Sequence, residues 1–325
     1  MIKVLQIRET PATKCGGIDA NCQAISNAFT YDEDIDMLPI KDYKIIEKSY
    51  LRFKYIPYKE VYDDIKEKNP NVVHIHGSYT FTFINVVKAA RKLKKKIVYS
   101  PHFHPFYSLA RPKLGFIFFH VLTRPFLKYV DTVITINSED TAWFQKFHSN
   151  VVRIPHWSKL NPGGVETYKK KTNQVLFVGR INDSIKGVEH IYSLPEGKYD
   201  IHCVGKGDLQ TRSDITQHIN ISDEELSRLY AESSLLVIPS RYEAFSYVAV
   251  EALSCNTPIV VSDRVRIADY FETCPYVGIF TYHDMLGFKK AVDQTKGQPV
   301  DMDYVKHIFD SDRLKEIYRE IYMHI

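Results

Sequence analysis

The sequence predicts an α/β protein of two doubly wound domains, each a parallel sheet with helices on both faces. Three observations carry that expectation. Short runs rich in Val and Ile alternate with helix-spaced segments along the whole chain. The alternation halts at Lys159–Val165, a stretch containing Pro162, Gly163 and Gly164, and then restarts. A chain of 325 residues also exceeds one ordinary core and suits two of roughly 150 residues each. The expected division is 1–158, 159–310 and a closing segment at 311–325.

In chain order, Lys3–Ile7 reads as the first strand, followed by Gly16-Gly17 and a helix to about Phe29. Asn71–His76 and Lys96–Ser100 are further strands, with Thr82–Leu93 helical between them. Asp131–Ile136 is another, and either Asn137 or Ser138 suits the cap of the helix that follows. Val151–Pro155 completes the first set. The second set begins with Gln174–Val178, a short helix over Gly187–Tyr192 and the strand Tyr199–Val204. Asp223–Glu232 is a helix opened by the capping box Ser222-Asp-Glu-Glu225. The strand Ser234–Pro239, a helix over Phe245–Cys255 and the strand Pro258–Val261 come next. Two more helix–strand units and a final helix, Ser311 to about Met323, are expected after that.

Composition narrows the function classes. Hydrophobic residues at 44% with 25% charged describe a globular chain. Five cysteines without a Cys-x-x-Cys pair fit a reducing compartment and supply no metal cage. The N-terminus does not read as a signal peptide, and no apolar run is long enough to span a bilayer, so a cytosolic protein is expected, held at most at the inner membrane face. Residues 1–155 carry 23 Lys/Arg against 15 Asp/Glu, whereas residues 156–325 carry 20 against 24. The first half therefore favours an anionic partner. No nucleic-acid recognition motif accompanies the charge.

The candidate chemistry clusters after strand ends, where doubly wound sheets hold ligands. Glu243 and Glu251 are eight residues apart, which would place both on one side of a helical element. The amides of Phe245, Ser246 and Tyr247 fall at a helix N-terminus suited to phosphate. Arg180 and Lys186 follow a strand and could neutralise a departing diphosphate, although two surface cations in a loop would look the same. Gly16 and Gly17 allow close approach to an anion, and Gly205 allows approach by a flat base; ordinary turns have the same residues. His102 and His104 lie in a Pro-bounded loop suited to ligand contact. With His74 and His76 they form two His-x-His pairs, so a zinc site is the competing reading.

In this order, these positions resemble the retaining, nucleotide-sugar-dependent glycosyltransferases of the GT-B fold (group 1, family 4-like). The resemblance runs from Gly16-Gly17 through Val72–His76, Ser100-Pro-His102, Gly179-Arg180, Lys186-Gly187 and Val204-Gly205 to Glu243 and Glu251 followed by Pro258–Ser262. It implies two Rossmann-like domains facing across a cleft, with the last helix returning to the first domain. It also implies that Arg180 and Lys186 hold the diphosphate and that Glu251 takes the ribose. Glu243 would meet the transferred sugar, with the amides of Phe245–Tyr247 on sugar and phosphate. Gly16 would face the diphosphate from the other domain, and His102 would contact the sugar near the reacting carbon. No metal or other cofactor is implied, because Arg and Lys stabilise the leaving group of an oxocarbenium-like reaction. The sequence departs from the pattern at Phe103-His104, where relatives often have Asp, at Pro155-His-Trp-Ser158, and at Ser246, where many have Gly.

A glycan or lipid-linked acceptor would bind the basic first domain. Arg111–Lys128 mixes cations with large apolar residues, and Lys92–Lys96 adds charge, as an element lying on an anionic membrane would require. A buried helix with charged ends fits the same residues. Two other functions share this fold: a sugar-nucleotide hydrolase or epimerase, and a binding protein without catalysis.

Overall fold

The computed structural model describes residues 1–9, 17–48, 53–77, 81–102, 112–157 and 168–325. The chain divides into two units, Met1–His156 together with Ser311–Ile325, and Trp157–Asp310.

In the first unit, β1 (Ile2–Arg8) leads to α1 (Gly17–Ala28) and the short β2 (Ile35–Met37). An antiparallel pair, β3 (Ile46–Lys48) and β4 (Phe53–Tyr55), stands apart from the main sheet. Then come α2 (Tyr58–Lys68), β5 (Val72–His76), α3 (Phe81–Lys92) and β6 (Lys96–Ser100). α4 (Pro112–Phe118) runs through a π-turn at Phe119–Thr123 into α5 (Arg124–Leu127). β7 (Thr132–Thr135), α6 (Ser138–Phe144) and β8 (Val151–Arg153) complete the sheet. Its order is β2-β1-β5-β6-β7-β8, and every pairing is parallel. Central strands covered on both faces need apolar residues on both; all five residues of β5 are buried. Asn137 caps α6, accepting from the Asp140 amide at 2.7 Å.

The second unit contains β9 (Lys171–Val178), α7 (Glu189–Ser193), β10 (Asp200–Val204), β11 (Ile215–His218) and α8 (Asp223–Glu232). It continues with β12 (Ser233–Ile238), α9 (Tyr247–Ser254), β13 (Ile259–Ser262), a 3₁₀ turn at Arg266–Tyr270 and β14 (Val277–Phe280). The sheet order, β11-β10-β9-β12-β13-β14, is again parallel throughout. Leu235, Leu236, Ile259, Val260 and Val261 are fully buried, each contributing roughly 1.5–3 kcal/mol. Two such sheets, with helices between the strands, are the two Rossmann-like halves that the sequence implied.

Five elements escaped the sequence reading: β2, the paired strands β3 and β4, α2 and β11. One expectation is corrected. After β14 no further helix–strand unit follows; α10 (Met285–Thr295) and α11 (Met302–Phe309) come in succession. Asp284 accepts from the Leu286 and Gly287 amides and Asp301 from the Tyr304 amide, so each helix has its own cap.

The last helix, α12 (Ser311–His324), packs in the first unit against α1 and β1. Lys315 and Arg319 both pair with Asp32, whose side chain is only 1% exposed. Leu314, Tyr318 and Tyr322 are buried along the same helix.

Candidate active site

In each sheet, the strand order reverses direction between two neighbouring strands, β1 and β5 in one unit, β9 and β12 in the other. Connections leave such a pair toward opposite sides, opening a crevice at the carboxyl ends. Of the residues expected to carry chemistry, Arg180 and Lys186 follow β9, Glu243 follows β12 and Gly17 follows β1.

In the second unit, β9 ends at Val178 and passes into Gly179 and Arg180. Gly187, at φ +69°, tucks the following loop against β12: a Cβ there would lie 2.0 Å from the Pro239 carbonyl oxygen. This close approach delivers Lys186, whose Nζ donates to Glu243 Oε1 at 2.8 Å. Ser240 donates to the same oxygen at 2.6 Å. The pair is largely enclosed, with the Lys186 side chain 24% exposed and that of Glu243 11%. Arg180 behaves differently. Its side chain is 78% exposed and pairs with Asp183 at 2.6 Å.

Glu243 does not share a helical face with Glu251, because α9 begins only at Tyr247. Residue 243 is instead tied to the neighbouring loop, its amide donating to the Arg264 carbonyl and its carbonyl accepting from the Arg266 amide. Glu251 lies on α9 and accepts from the Tyr230 hydroxyl at 2.9 Å. Burial pushes its carboxyl above the usual glutamate range; the Tyr230 hydrogen bond opposes that shift and Asp223 adds to it. Ser246 is the N-cap residue of α9, and its buried hydroxyl has no hydrogen-bond partner among the described residues. Phe245 and Tyr247 flank it, their rings 5.7 Å apart.

Gly205 follows β10 at φ +150°, and a Cβ on it would fall 1.9 Å from the Gly179 carbonyl oxygen. Its lack of a side chain is therefore required by the neighbouring turn, whatever ligand approaches.

In the first unit, β1, β5 and β6 finish side by side with Arg8, His76 and Ser100 in register. Gly17 opens α1 at the same pole, while Gly16 and His104 lie outside the described residues, as does the stretch Lys159–Val165. His102 adopts φ +58°, an uncommon left-handed conformation for a residue with a side chain. Its Nε2 lies 3.0 Å from His76 Nδ1. His74 packs on His76 at 3.9 Å between ring centroids, and His156 meets His102 at 5.2 Å. Both His74 nitrogens are engaged, Nδ1 with the Tyr322 hydroxyl and Nε2 with Ser100 Oγ, each at 2.8 Å. Burial drops His102 to about 3 and holds His74, His76 and His156 well below the ordinary imidazole range, so all four rings are neutral near pH 7.

In this network both His74 nitrogens are engaged and His76 and His102 bond to each other, while His104, the fourth histidine of the competing metal reading, lies outside the described residues. Among the described residues, no group of three His, Cys, Asp or Glu side chains is arranged to hold a metal ion. The sequence reading gave no role to Ser240 and Tyr230, though both belong to the stretch that carries the family resemblance, nor to His156 or Tyr322, and it did not pair His76 with His102. One signal was available. In a strand, His-x-His places both rings on one face.

A groove of about 300 Å³ lies between α3 and α5, lined by Val87, Lys88, Arg91, Lys92, Phe126 and Tyr129. Arg91 stacks on Tyr129 at 3.6 Å. Along the adjoining segment Phe119 and Leu127 are buried, whereas Phe116, Ile117 and Val121 are 43–62% exposed. The segment is thus both a packed helix and an apolar surface. No helix among the described residues is long and apolar enough to cross a membrane.

Two family models tile the chain: Glycosyltransferase Family 4 over residues 26–157 and Glycosyl transferases group 1 over residues 172–292. The chain belongs to the GT-B glycosyltransferases. Solved members of the fold superpose over the full length. An Anabaena protein, HepE, crystallised with UDP and glucose, matches with a TM-score of 0.74 at 13% identity and complete coverage of both chains. The lipopolysaccharide outer core galactosyltransferase WaaB matches with a TM-score of 0.73 at 16% identity, also over both complete chains. At such identities the likeness is one of fold. Among curated sequences, an uncharacterised 41.2 kDa protein in the cps region of Klebsiella pneumoniae is 23% identical over 231 residues, 63% of each chain. The chain spans less than two thirds of the length of each curated relative it matches.

Proposed function

We propose that this glycosyltransferase moves a hexose-type sugar from a UDP- or GDP-sugar to a glycan or lipid-linked acceptor, with retention of configuration, in cell-surface polysaccharide or glycolipid assembly. The observation that carries the reading is the enclosed Lys186–Glu243–Ser240 cluster at the strand-order reversal of the second unit. A carboxylate held by an ammonium and a hydroxyl can exchange those partners for sugar hydroxyls. The ammonium thereby becomes available to a diphosphate oxygen.

In this reading Lys186, joined by Arg180 once it leaves Asp183, neutralises the charge that develops as the nucleoside diphosphate departs. Glu251 accepts from ribose hydroxyls and Glu243 from those of the sugar. Ser246, whose hydroxyl is unpartnered, and the amides of Phe245–Tyr247 line the sugar and phosphate. Gly205 borders the base, Gly16 and Gly17 face the diphosphate, and His102 contacts the sugar. The reaction requires no metal ion, since fixed cations take that role.

The lipid-linked class of acceptor is supported by the groove of Lys88, Arg91 and Lys92 and the exposed Phe116, Ile117 and Val121 nearby. Cations interleaved with apolar side chains suit the headgroup region of an anionic bilayer, placing the protein peripherally on the inner membrane face. Flotation with phosphatidylglycerol vesicles at low salt tests this; failure to float removes it.

The donor is tested by thermal shift with UDP, GDP and ADP and their hexose conjugates. Stabilisation by UDP or GDP conjugates, unaltered by EDTA, is expected; indifference to all of them would sink the reading. Proton NMR of the product's anomeric signal decides retention.

A further inference from the structure

The Lys186 ammonium reaches Glu243 from a turn, and that turn is fastened at each of its residues. The Ile185 carbonyl accepts from the Arg241 amide at 2.6 Å, and the Lys186 amide donates to the Asp183 carbonyl at 2.8 Å. The Lys186 stem passes Gly179, where a Cβ would lie 3.5 Å from its Cγ and Cδ. Gly187 lies against Pro239 at φ +69°. Its carbonyl accepts twice from one residue, from the His190 amide and from His190 Nδ1, each at 3.1 Å.

The second of these bonds settles the protonation of the ring. A carbonyl oxygen can only accept, so His190 Nδ1 carries a proton. Glu189 Oε1, 4.0 Å from the same nitrogen, is beyond hydrogen-bond reach. The His190 side chain is 0% exposed, and burial holds it below the ordinary imidazole range; the Gly187 bond and Glu189 oppose that shift and His283 adds to it. The ring is therefore neutral near pH 7, and Nε2 keeps a bare lone pair. That nitrogen is buried and has no hydrogen-bond partner among the described residues. Phe280, Tyr282 and Phe288 surround the ring at 5.3–5.5 Å between centroids. An apolar side chain would fill the same space without burying an orphaned nitrogen. What the imidazole adds is its Nδ1 bond to the turn that carries Lys186.

We propose that His190 is a positioning residue: its Nδ1–H fixes the Gly187 carbonyl, and so keeps the Lys186 ammonium aligned with Glu243 and with the departing diphosphate. The part played in departure rests on the glycosyl-transfer reading; the hold on Lys186 does not.

The test uses the full chain with ¹⁵N-labelled lysine and histidine. Two-bond ¹H–¹⁵N correlations give the His190 tautomer, and His190→Asn identifies its signals. A slowly exchanging ammonium correlation, assigned by Lys186→Met, reports whether Lys186 is held. The wild type is expected to show His190 protonated on Nδ1 and the Lys186 correlation present. His190→Phe should lose that correlation, and His190→Asn, whose amide nitrogen replaces Nδ1, should keep it. Nucleoside diphosphate release from UDP-glucose or GDP-mannose, with extracted lipid-linked glycans present, is expected to fall about tenfold in kcat for His190→Phe. The donor KM should stay within about threefold, and kcat should recover in His190→Asn. A wild-type His190 protonated on Nε2 alone, or an unchanged Lys186 correlation in His190→Phe, overturns the proposal. So does a loss of kcat that His190→Asn does not restore, or turnover undiminished in His190→Phe. If His190→Phe does not fold, the wild-type tautomer and the Lys186 correlation in His190→Asn decide. Correlations that behave as expected in a protein that turns over no donor leave the hold on Lys186 standing and defeat the transfer reading instead.

Discussion

The two units share a parallel, doubly wound architecture, with different strand orders, but end their central strands in different electrostatic states. In the first, four histidines held neutral by burial surround the ends of β5 and β6. In the second, Lys186 donates to Glu243 at 2.8 Å, an ion pair of opposite formal charges. Fixed charge stabilises charge that develops in a reaction, whereas neutral donors orient hydroxyls without ionising. In the proposed reaction the charged pole would serve the phosphate leaving group and the neutral pole the uncharged sugar.

The contrast can be broken most sharply at Lys186 and Glu243. Alanine at either should lower sugar-nucleotide turnover by at least about 10²-fold, with circular dichroism unchanged; near-normal turnover would remove the charged pole from the mechanism. Acid should separate the units next. Each buried histidine whose folded pKa is depressed makes the folded state bind fewer protons than the unfolded one. Stability contributed that way is present above the ordinary histidine value and is lost as pH falls below it, by up to about 1.4 kcal/mol per pH unit for each ring. The second unit has lowered histidines too, His190 and His218, but fewer. Hydrogen exchange, corrected for intrinsic rates, should show residues 72–76 and 96–100 losing protection at higher pH than residues 172–178 and 233–238.

Backbone geometry provides the third test. Gly187→Ala drives a Cβ into the Pro239 carbonyl at a left-handed φ, and should destabilise the second unit by about 1–3 kcal/mol and weaken donor binding with it. Tyr322→Phe removes the hydroxyl that His74 shares and should cost the first unit about 1–2 kcal/mol in urea unfolding. The smallest effect has the opposite pH sign. Glu251 is raised in the folded state, so its contribution is full below the ordinary glutamate value and fades as pH rises through the folded value. Glu251→Gln should flatten that slope, and an unchanged stability profile would count against the buried carboxyl.

The parallel sheets were legible because buried strand segments such as Leu235–Ile238 and Ile259–Val261 read as unbroken apolar runs bounded by turns. β2, with three residues, carries no periodicity to detect, and β11 offers only Ile215-Thr-Gln-His218. The proximity of Lys186 to Glu243 was implied by family resemblance, not by spacing; the helical spacing offered for Glu243 and Glu251 failed because Glu243 lies in the loop before α9, which begins at Tyr247. One contact was beyond local pattern altogether. Tyr322 and His74 are 248 positions apart, and only the folded chain brings them together.

That last contact bears on how the molecule is made. A ribosome completes residues 1–156 early, but Asp32 and His74 wait for Lys315, Arg319 and Tyr322, which are translated only after the whole second unit. The earlier-synthesised lobe is therefore the later one to close, and a nascent chain arrested near Asp310 should have a finished second lobe beside an open, chaperone-dependent first one.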